Sequence, residues 1–464
     1  MPQTTLVWFR RDLRASNHLA LQEAVGLGLP VIAVFLFEDG MVADDSAGNA
    51  RRLTFIHQCL SELHAELAAK GVPLFILRGA AENEIPAFAA KINAACVVCT
   101  EEDEPKSLLR DGIVAAKLIE NGRHFRAFND WLLLPKSVLV EATGQPYTDF
   151  TAYQKAWLAV AGQAGVAYRN DWPALRQIQQ SLSENWQRAP SVLSLAQLGV
   201  QAQPLVLQGG EKAGNRLLMD FLSHIDTYHL NRDFPALQHA SQLSVYLRFG
   251  VLSVHKVVDS VNRLSGNGAT AWLGALAKRE FYHQLLYHHA GILKESFNSR
   301  FHNMAWPGGS AYLAAWQCGK TGYPLVDAAM RRLNQTGFLP ASLRRFAAEF
   351  LTQVLLCDWR QGEIYFAQQL LDFDLAVNNG NWQDAAGVGT QTGKPLRIIN
   401  PLVESQRLDP DGMIVRRYIP ELARLPKDVI HSPWLVKNTI QTNGYPDPIV
   451  NYAVQKQQAL ALLG

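Results

Sequence analysis

Short apolar runs alternate with amphipathic helical patterns through the first 130 residues, and this alternation constrains the fold more than any other feature. The runs are rich in β-branched and aromatic residues: Thr5–Phe9, Pro30–Phe37, Pro73–Leu77 and Ala95–Cys99. Unbroken apolar strands separated by helices are typical of a parallel sheet covered on both faces. We therefore predict an α/β domain with a Rossmann-like parallel sheet over residues 1–130. No Gly-x-Gly-x-x-Gly follows the first run, which argues against a nicotinamide cofactor.

The pattern changes twice along the rest of the chain. Residues 131–205 are polar and partly Gln-rich, without clear periodicity, and this predicts a linker between domains. From residue 206 to residue 464 helical spacing dominates, as in Leu343, Phe346, Ala347 and Phe350. The expected architecture is an α/β domain, a long linker and an all-helical domain.

Composition excludes several classes of protein. With 48% apolar and 18% charged residues among 464, the chain matches globular proteins of two or three domains. No apolar run approaches the roughly 18 residues of a membrane span. Arg10 interrupts the apolar N-terminal segment too early for a signal peptide. We expect a cytoplasmic monomer with no membrane partner.

The cysteines do not suggest a metal centre. Five cysteines are too few and too scattered for a disulfide framework. Cys96 and Cys99 have the spacing of a metal knuckle, but in a β-strand they point to opposite faces. Neither a metal site nor an iron–sulfur cluster is predicted.

The stretch Leu371–Gln383 concentrates polar chemistry near the C-terminus. It holds two carboxylates, Asp372 and Asp374, followed by Asn378-Asn379-Gly380-Asn381 and Trp382. The Asn-Asn-Gly sequence predicts a turn, because Asn and Gly tolerate positive φ. Taken alone, this stretch describes either a capped helix end with exposed acids or a functional site.

Basic residues are in excess between positions 320 and 360. Six stand against three acids in this segment: Lys320, Arg331, Arg332, Arg344, Arg345 and Arg360, against Asp327, Glu349 and Asp358. The excess is compatible with a phosphate-facing surface and also with ordinary solvated helix faces.

Ordered motifs extend over essentially the whole chain. They are Leu6-Val-Trp-Phe-Arg-Arg-Asp-Leu-Arg14, Asn17-His-Leu-Ala-Leu21, Ser241-Gln-Leu-Ser244, Leu247-Arg-Phe-Gly250, Arg279-Glu-Phe-Tyr282, Gly319-Lys-Thr-Gly-Tyr-Pro-Leu-Val-Asp-Ala-Ala-Met330 and Asp374-Leu-Ala-Val-Asn-Asn379 with Trp382. In these motifs the chain resembles the photolyase/cryptochrome flavoproteins, and among them the bacterial class I cyclobutane-dimer photolyases. The resemblance implies an α/β antenna domain joined by a linker to a helical domain that holds FAD.

The resemblance also implies which residues bind FAD. Positions that match contacts to the flavin's phosphates and sugar are Tyr228, Ser241, Leu243 and Ser244. The other matching positions are Trp272, Arg279, Arg344, Asp372, Asp374 and Asn378. It implies that Arg344 and Asp372 pair beside the isoalloxazine, that Asp374 receives ring N–H groups, and that Asn378 faces N5. Trp382, Trp359 and Trp306 match the family's tryptophan chain for light-driven reduction of the flavin.

The lesion pocket departs from the family pattern. Repairing members present a glutamate and two tryptophans where this chain has Ala275, Lys278 and Asp384. Their polar and sulfur contacts are replaced by Ala341, Ser342 and Arg345. A flipped base is held by aromatic stacking worth about 1–3 kcal/mol, so these replacements exchange a stacking pocket for a charged one. The charges either pair with one another or bind a different polar substrate.

The predicted function follows from this contrast. We expect an FAD flavoprotein driven by blue light, in which dimer repair is altered or lost. One alternative is a light-dependent DNA photolyase with a non-standard lesion pocket, and another is a non-catalytic module that binds DNA or a protein partner. DNA is the expected partner through a basic face. Folate-binding members of the family have Asn-Glu where this chain has Lys106-Ser107, so a folate antenna is not expected. The antenna position is left to a deazaflavin, a flavin or an empty pocket.

Overall fold

The computed structural model describes residues 2–162, 172–237, 240–390, 397–436 and 442–464. These residues form two compact units. The first comprises Met1–Tyr147, Thr151–Ser223 and Ser241–Tyr287, and the second comprises Thr148–Phe150, His224–Ala240 and His288–Gly464. We refer to them as the α/β unit and the helical unit.

A five-stranded parallel sheet is the framework of the α/β unit. Its strands are β1 (Thr4–Phe9), β2 (Val31–Glu38), β3 (Leu74–Gly79), β4 (Ala94–Thr100) and β5 (His124–Phe128), in the spatial order β3-β2-β1-β4-β5. Leu6 pairs with Ile32 on one side of β1 and with Val97 on the other, and both neighbouring strands run parallel to β1. Every residue of β1 is buried, as the unbroken apolar run predicts.

Helices connect the strands and dominate the described residues after β5. The α/β unit contains all or most of α1 (Leu19–Gly26), α2 (Asp39–Ala43), α3 (Ala47–Ala68), α4 (Ala81–Lys91), α5 (Pro105–Glu120), α6 (Phe150–Ala161), α7 (Trp172–Gln179), α8 (Glu211–Ser223), α10 (Ser244–Arg248), α11 (Val254–Asn262) and α12 (Asn267–His288). The helical unit contains α9 (Tyr228–Asn231), α13 (Ser310–Cys318), α14 (Pro324–Thr336), α15 (Ala341–Glu349), α16 (Trp359–Gln369), α17 (Leu375–Ala386), α18 (Pro401–Leu408), α19 (Met413–Tyr418) and α20 (Tyr452–Leu463). A π-helical turn, Phe350–Val354, follows α15.

The predicted fold class is confirmed. All four predicted strands are present, and the described residues after β5 contain no further strand. Strand β5 was missed, because its His124 and Arg126 interrupt the apolar pattern at the edge of the sheet. The segment expected to lack regular structure contains α6 and α7.

Buried ion pairs fill the carboxyl ends of β1 and β4. Glu102 accepts a hydrogen bond from Arg110 at 2.6 Å and pairs with Arg11 at 3.1 Å. Burial raises the pKa of Glu102, but the surrounding guanidinium groups more than offset this and hold it well below the usual range. Arg10 donates to Cys99 Sγ at 3.3 Å. No cluster of metal-binding side chains occurs among the described residues, and no helix there is long and apolar enough to cross a membrane.

Candidate functional site

A buried ion pair joins α15 to the segment that follows α16. The Arg344 guanidinium donates to both oxygens of Asp372, at 2.9 and 2.8 Å, and its Nε donates to the Leu339 carbonyl at 2.6 Å. The Asp372 side chain is 1% exposed, and the Leu371 backbone N–H donates to the Gly337 carbonyl at 2.8 Å. The carboxylate is therefore held from two directions, because both its charge partner and its backbone are fixed.

Asp374 begins α17 rather than following a helix into a turn. Its side chain accepts a hydrogen bond from the Val377 N–H at 3.1 Å, which is the N-cap arrangement. The prediction of a turn over residues 378–381 is wrong, because they lie inside α17. The cap and the burial of Asn378, Asn379 and Gly380 against the helical core outweigh the local turn preference of Asn-Asn-Gly.

Glu363, which the sequence analysis did not single out, holds the two asparagines in place. Asn378 Nδ2 donates to the Glu363 carbonyl at 3.1 Å, so the Asn378 Oδ1 is the atom available to accept a hydrogen bond. Asn379 Nδ2 donates to the Glu363 carboxylate at 3.0 Å. Burial raises the pKa of Glu363 to about 7, although the hydrogen bond from Asn379 opposes the shift. No periodic signal connects positions 363 and 378 in the sequence, so only tertiary contact reveals Glu363.

A buried amide chain extends this arrangement along α17. Gln383 Nε2 donates to Asn379 Oδ1 at 2.9 Å and to the Ile292 carbonyl at 3.0 Å. Gln383 Oε1 accepts from the Phe297 N–H at 2.6 Å. Both amide side chains are thus satisfied inside the core, and they fix the rotation of α17.

The three predicted redox tryptophans all lie in the helical unit. Trp382 packs edge-on against Phe366 and Trp316, with ring centroids 4.9 and 6.0 Å away. A Cβ atom at Gly362 would collide with the Trp382 ring, so this glycine permits the close approach of α16. Trp359 is fully buried, and its Nε1 has no hydrogen-bond partner within the described residues. Trp306 is partly buried at the edge of the same core.

Several predicted residues belong to the α/β unit. Trp272, Ala275, Lys278 and Arg279 lie on α12, with Trp272 buried against Phe221 and Ala275 exposed. The Arg279 guanidinium stacks on Trp131 and donates to its carbonyl at 3.2 Å. The Lys278 ammonium lies 5.4 Å from the Tyr282 ring centroid.

The segment Ser241–Ser244 has an unusual backbone. Gln242 has a φ of 52°, which a residue with a side chain rarely adopts. Leu243 is fully buried, its N–H donates to Ser241 Oγ at 3.5 Å, and Ser244 begins α10. Strained backbone of this kind is found at ligand sites more often than elsewhere. Tyr228, at the start of α9 in the helical unit, has its phenol pKa raised by burial.

The helical unit contains the positions Ala341, Ser342 and Arg345 on α15 and Asp384 on α17, where the sequence differs from the lesion contacts of repairing members. Ala341 and Arg345 are exposed, and the Ser342 Oγ is buried without a hydrogen-bond partner in the described part of the chain. Arg345 Nε donates to Glu349 at 2.7 Å. Asp384 lies near the end of α17 and is half-buried.

Most of the basic excess between residues 320 and 360 is neutralised within the helical unit. Four of the six basic residues pair with acids: Arg331 with Glu421, Arg344 with Asp372, Arg345 with Glu349 and Arg360 with Asp358. A run of basic residues in the sequence therefore does not make a continuous basic surface here.

Comparison with known proteins identifies the family. The family model for DNA photolyase matches residues 5–174, and the model for the FAD binding domain of DNA photolyase matches residues 272–464. The chain is 34% identical to the deoxyribodipyrimidine photo-lyase of Escherichia coli strain K12, over 99% of this chain and 98% of that one. The chain belongs to the DNA photolyase family. The predicted family resemblance and the FAD cofactor are thereby confirmed.

Relatives and solved structures agree along the whole length of this photolyase-family chain. The deoxyribodipyrimidine photo-lyase of Vibrio cholerae is 34% identical, over 98% of each chain. A class III photolyase from Agrobacterium tumefaciens superposes with a TM-score of 0.88 at 30% identity, covering 100% of this chain and 97% of that one. A cryptochrome from Synechocystis superposes with a TM-score of 0.86 at 28% identity, covering 100% and 99%. A photolyase and a cryptochrome thus share this architecture.

The donor set fits a flavin. The Arg344–Asp372 pair, the capping carboxylate Asp374 and the fixed amide of Asn378 offer groups of both signs to a ring that carries donors and acceptors. The strained backbone at Gln242 is of the kind that lets main-chain N–H groups approach phosphates. The bound FAD would supply light absorption and one-electron chemistry, while these residues would bind and orient it.

Proposed function

We propose that this photolyase-family protein carries out blue-light-driven electron transfer with FAD and that its repair of pyrimidine dimers is altered or lost. In the proposal, Arg344, Asp372, Asp374 and Asn378 hold the flavin in the helical unit. Tyr228 of the same unit would supply a further contact, whereas Trp272, Arg279 and Ser241–Ser244 lie in the α/β unit and stay predictions from the family resemblance.

Electron flow in the proposal uses the tryptophans. Trp382 would give up one electron for the one-electron chemistry that bound FAD supplies, and Trp359 and then Trp306 would each refill the oxidised neighbour. An external thiol reductant would return the electron to Trp306. The burial of Trp382 and Trp359 supports this order, because water is kept from the oxidised rings.

The observation that carries the proposal is the charged, exposed environment of Arg345. Repairing members place a sulfur side chain at this position to touch the lesion, whereas here the side chain forms an ion pair with Glu349 and is 76% exposed. Further charges stand nearby, since Arg407 pairs with Glu404 at 2.8 Å and with Asp233 at 3.8 Å. A base would have to desolvate these charges to dock, and it would gain no stacking in return.

The deciding experiment measures repair and photoreduction on one preparation. Reduced, FAD-loaded protein is mixed with DNA that contains cyclobutane dimers, and the remaining dimers are counted after blue light and in a dark control. We expect unchanged dimers together with normal photoreduction of the oxidised protein by thiol. The variant Trp359→Phe should retain FAD and lose photoreduction, which ties the light reaction to the tryptophans. If dimers are lost under blue light but not in the dark control, the proposal is wrong.

The second candidate is a photolyase that grips its lesion by other means. The deoxyribodipyrimidine photo-lyases cited above favour it, because they match this chain over nearly its whole length. If dimers are repaired, Arg345→Met and Asp384→Asn should change the affinity for damaged DNA, because the charges would then be the new contacts.

A further inference from the structure

Two tandem arginine pairs lie on neighbouring helices of the helical unit. Arg331 and Arg332 are on α14, Arg416 and Arg417 are on α19, and the two helices pack together. The first member of each pair is fully engaged. Arg331 donates to both carboxylate oxygens of Glu421 at 2.9 Å, and Arg416 donates to the Leu425 and Asp411 carbonyls.

The second members converge on one aromatic ring. The guanidinium carbons of Arg332 and Arg417 lie 5.8 and 5.6 Å from the centroid of the buried Tyr418 ring. Among the described residues neither side chain makes a hydrogen bond or an ion pair. The Tyr418 ring thus offers cation–π contact to both guanidinium groups.

The electrostatics around Arg332 are those of an incomplete site. Burial lowers the pKa of Arg332, and the positive charges of Arg417 and Arg344 lower it further. Arg344 is already engaged by Asp372, so its charge is balanced, whereas the charges of Arg332 and Arg417 are not. An anion placed near both guanidinium groups would relieve this repulsion.

We propose that Arg332, Arg417 and Tyr418 form a binding site for a phosphate group. A guanidinium presents a planar fork of donors that matches phosphate oxygens, and two forks on one anion would satisfy both arginines. The phosphate could belong to a nucleic-acid backbone or to a free phosphate compound, and the chemistry of recognition is shared. The site uses none of the residues assigned above to the flavin, the tryptophan chain or the lesion positions, so it does not depend on the proposed function.

Two probes and matched variants test the site in the full-length, FAD-loaded protein. The variants are Arg332→Gln, Arg417→Gln and the double variant, and Arg188→Gln, an exposed position of the α/β unit, removes one charge as the control. Undamaged duplex DNA is titrated by fluorescence anisotropy over a salt series, and inorganic phosphate is titrated by calorimetry. Flavin content and photoreduction are measured on each variant as checks of folding.

The expected results separate the two sources of phosphate. For a nucleic-acid backbone, the double variant should bind duplex about tenfold more weakly, and the slope of log K against log salt should fall by about 1. For a free phosphate compound, the heat of inorganic phosphate binding should be lost in the double variant. If the affinity of the double variant for both probes falls no more than that of the control Arg188→Gln, the proposal is overturned. If the double variant loses its flavin, Arg417→Gln decides, because that side chain is exposed and its replacement leaves packing intact.

Discussion

Arg344 and Arg345 are adjacent on α15, yet they have partners of opposite kinds. Arg344 is 25% exposed and forms two hydrogen bonds with Asp372, a buried carboxylate 28 residues away. Arg345 is 76% exposed and pairs with Glu349, one helical turn along the same helix. Consecutive helical residues face different directions, so one helix serves two environments. In the proposed function, the side of α15 that carries Arg344 faces the flavin and the side that carries Arg345 faces the lesion. We therefore expect the first side to keep the family's chemistry while the second changes.

The strongest test of the comparison removes the buried partner. In Asp372→Asn the half-buried Arg344 loses its counter-charge, and breaking such a pair costs about 3–5 kcal/mol in the free energy of unfolding. We expect the variant to lose FAD during purification, as measured by flavin absorbance per protein. The control Asp259→Asn breaks the exposed pair with Arg263 and should change stability by less than about 1 kcal/mol. Full flavin content in Asp372→Asn would mean that the pair does not support the cofactor site.

A second test restores the family's side chains at four positions where the sequence departs from the lesion contacts. A quadruple variant re-creates the side chains of dimer-repairing members: Ala275→Glu, Lys278→Trp, Arg345→Met and Asp384→Trp. Each recovered stacking contact should add about 1–3 kcal/mol to the binding of dimer-containing DNA over undamaged DNA. Competition binding with the two DNAs measures this preference. No gain of preference, with FAD content preserved, would show that these four departures do not account for the proposed loss of dimer binding.

The pH dependence of stability tests whether Glu363 is a buried carboxyl group that holds Asn379 in place. Its pKa is raised from 4.5 to about 7 in the folded protein, so the folded state binds the proton more tightly than the unfolded state. Its contribution to stability is fully present below pH 4.5 and is lost as the pH rises through about 7. Urea unfolding of the FAD-loaded protein should show this loss, on the order of 1–3 kcal/mol.

The variant Glu363→Gln provides the comparison, because an amide keeps the hydrogen bond to Asn379 and cannot ionise. Its stability should be flatter over the same pH range. Glu120→Gln, at an exposed position, should follow the unsubstituted protein. If Glu363→Gln tracks the unsubstituted protein across the range, the carboxyl group does not titrate during unfolding as expected.

The smallest effect is expected at Arg345 itself. Arg345→Met removes one arm of an exposed ion pair, and the free energy of unfolding should change by less than about 1 kcal/mol. FAD content and photoreduction should be unchanged, in contrast to Arg344→Met, which should lose the flavin. Thermal unfolding and flavin absorbance of the two variants provide the measurement. Equal behaviour of Arg344→Met and Arg345→Met would remove the distinction between the two sides of α15.

Composition, period and ordered motifs were enough to predict the framework and the family. Short apolar runs separated by helical patterns indicate the strands of a parallel sheet, so β1 to β4 were predictable, including β3 at the edge of the sheet. The ordered motifs were enough to identify the family and FAD, and the pairing of Arg344 with Asp372 follows from the same resemblance.

Features that depend on contacts between residues distant in sequence were visible only in the folded structure. The turn expected at Asn378–Asn381 is a helix, because a cap at Asp374 and core packing override local preference. Glu363 acquires its raised pKa from burial beside α17, which no local pattern encodes. Within the basic segment from Lys320 to Arg360, Arg331 and Arg344 pair with acids distant in sequence, Glu421 and Asp372. Arg332, by contrast, lies beside the Tyr418 ring together with Arg417. Charge is additive along a sequence, but its effect depends on which groups the fold brings within a few ångströms.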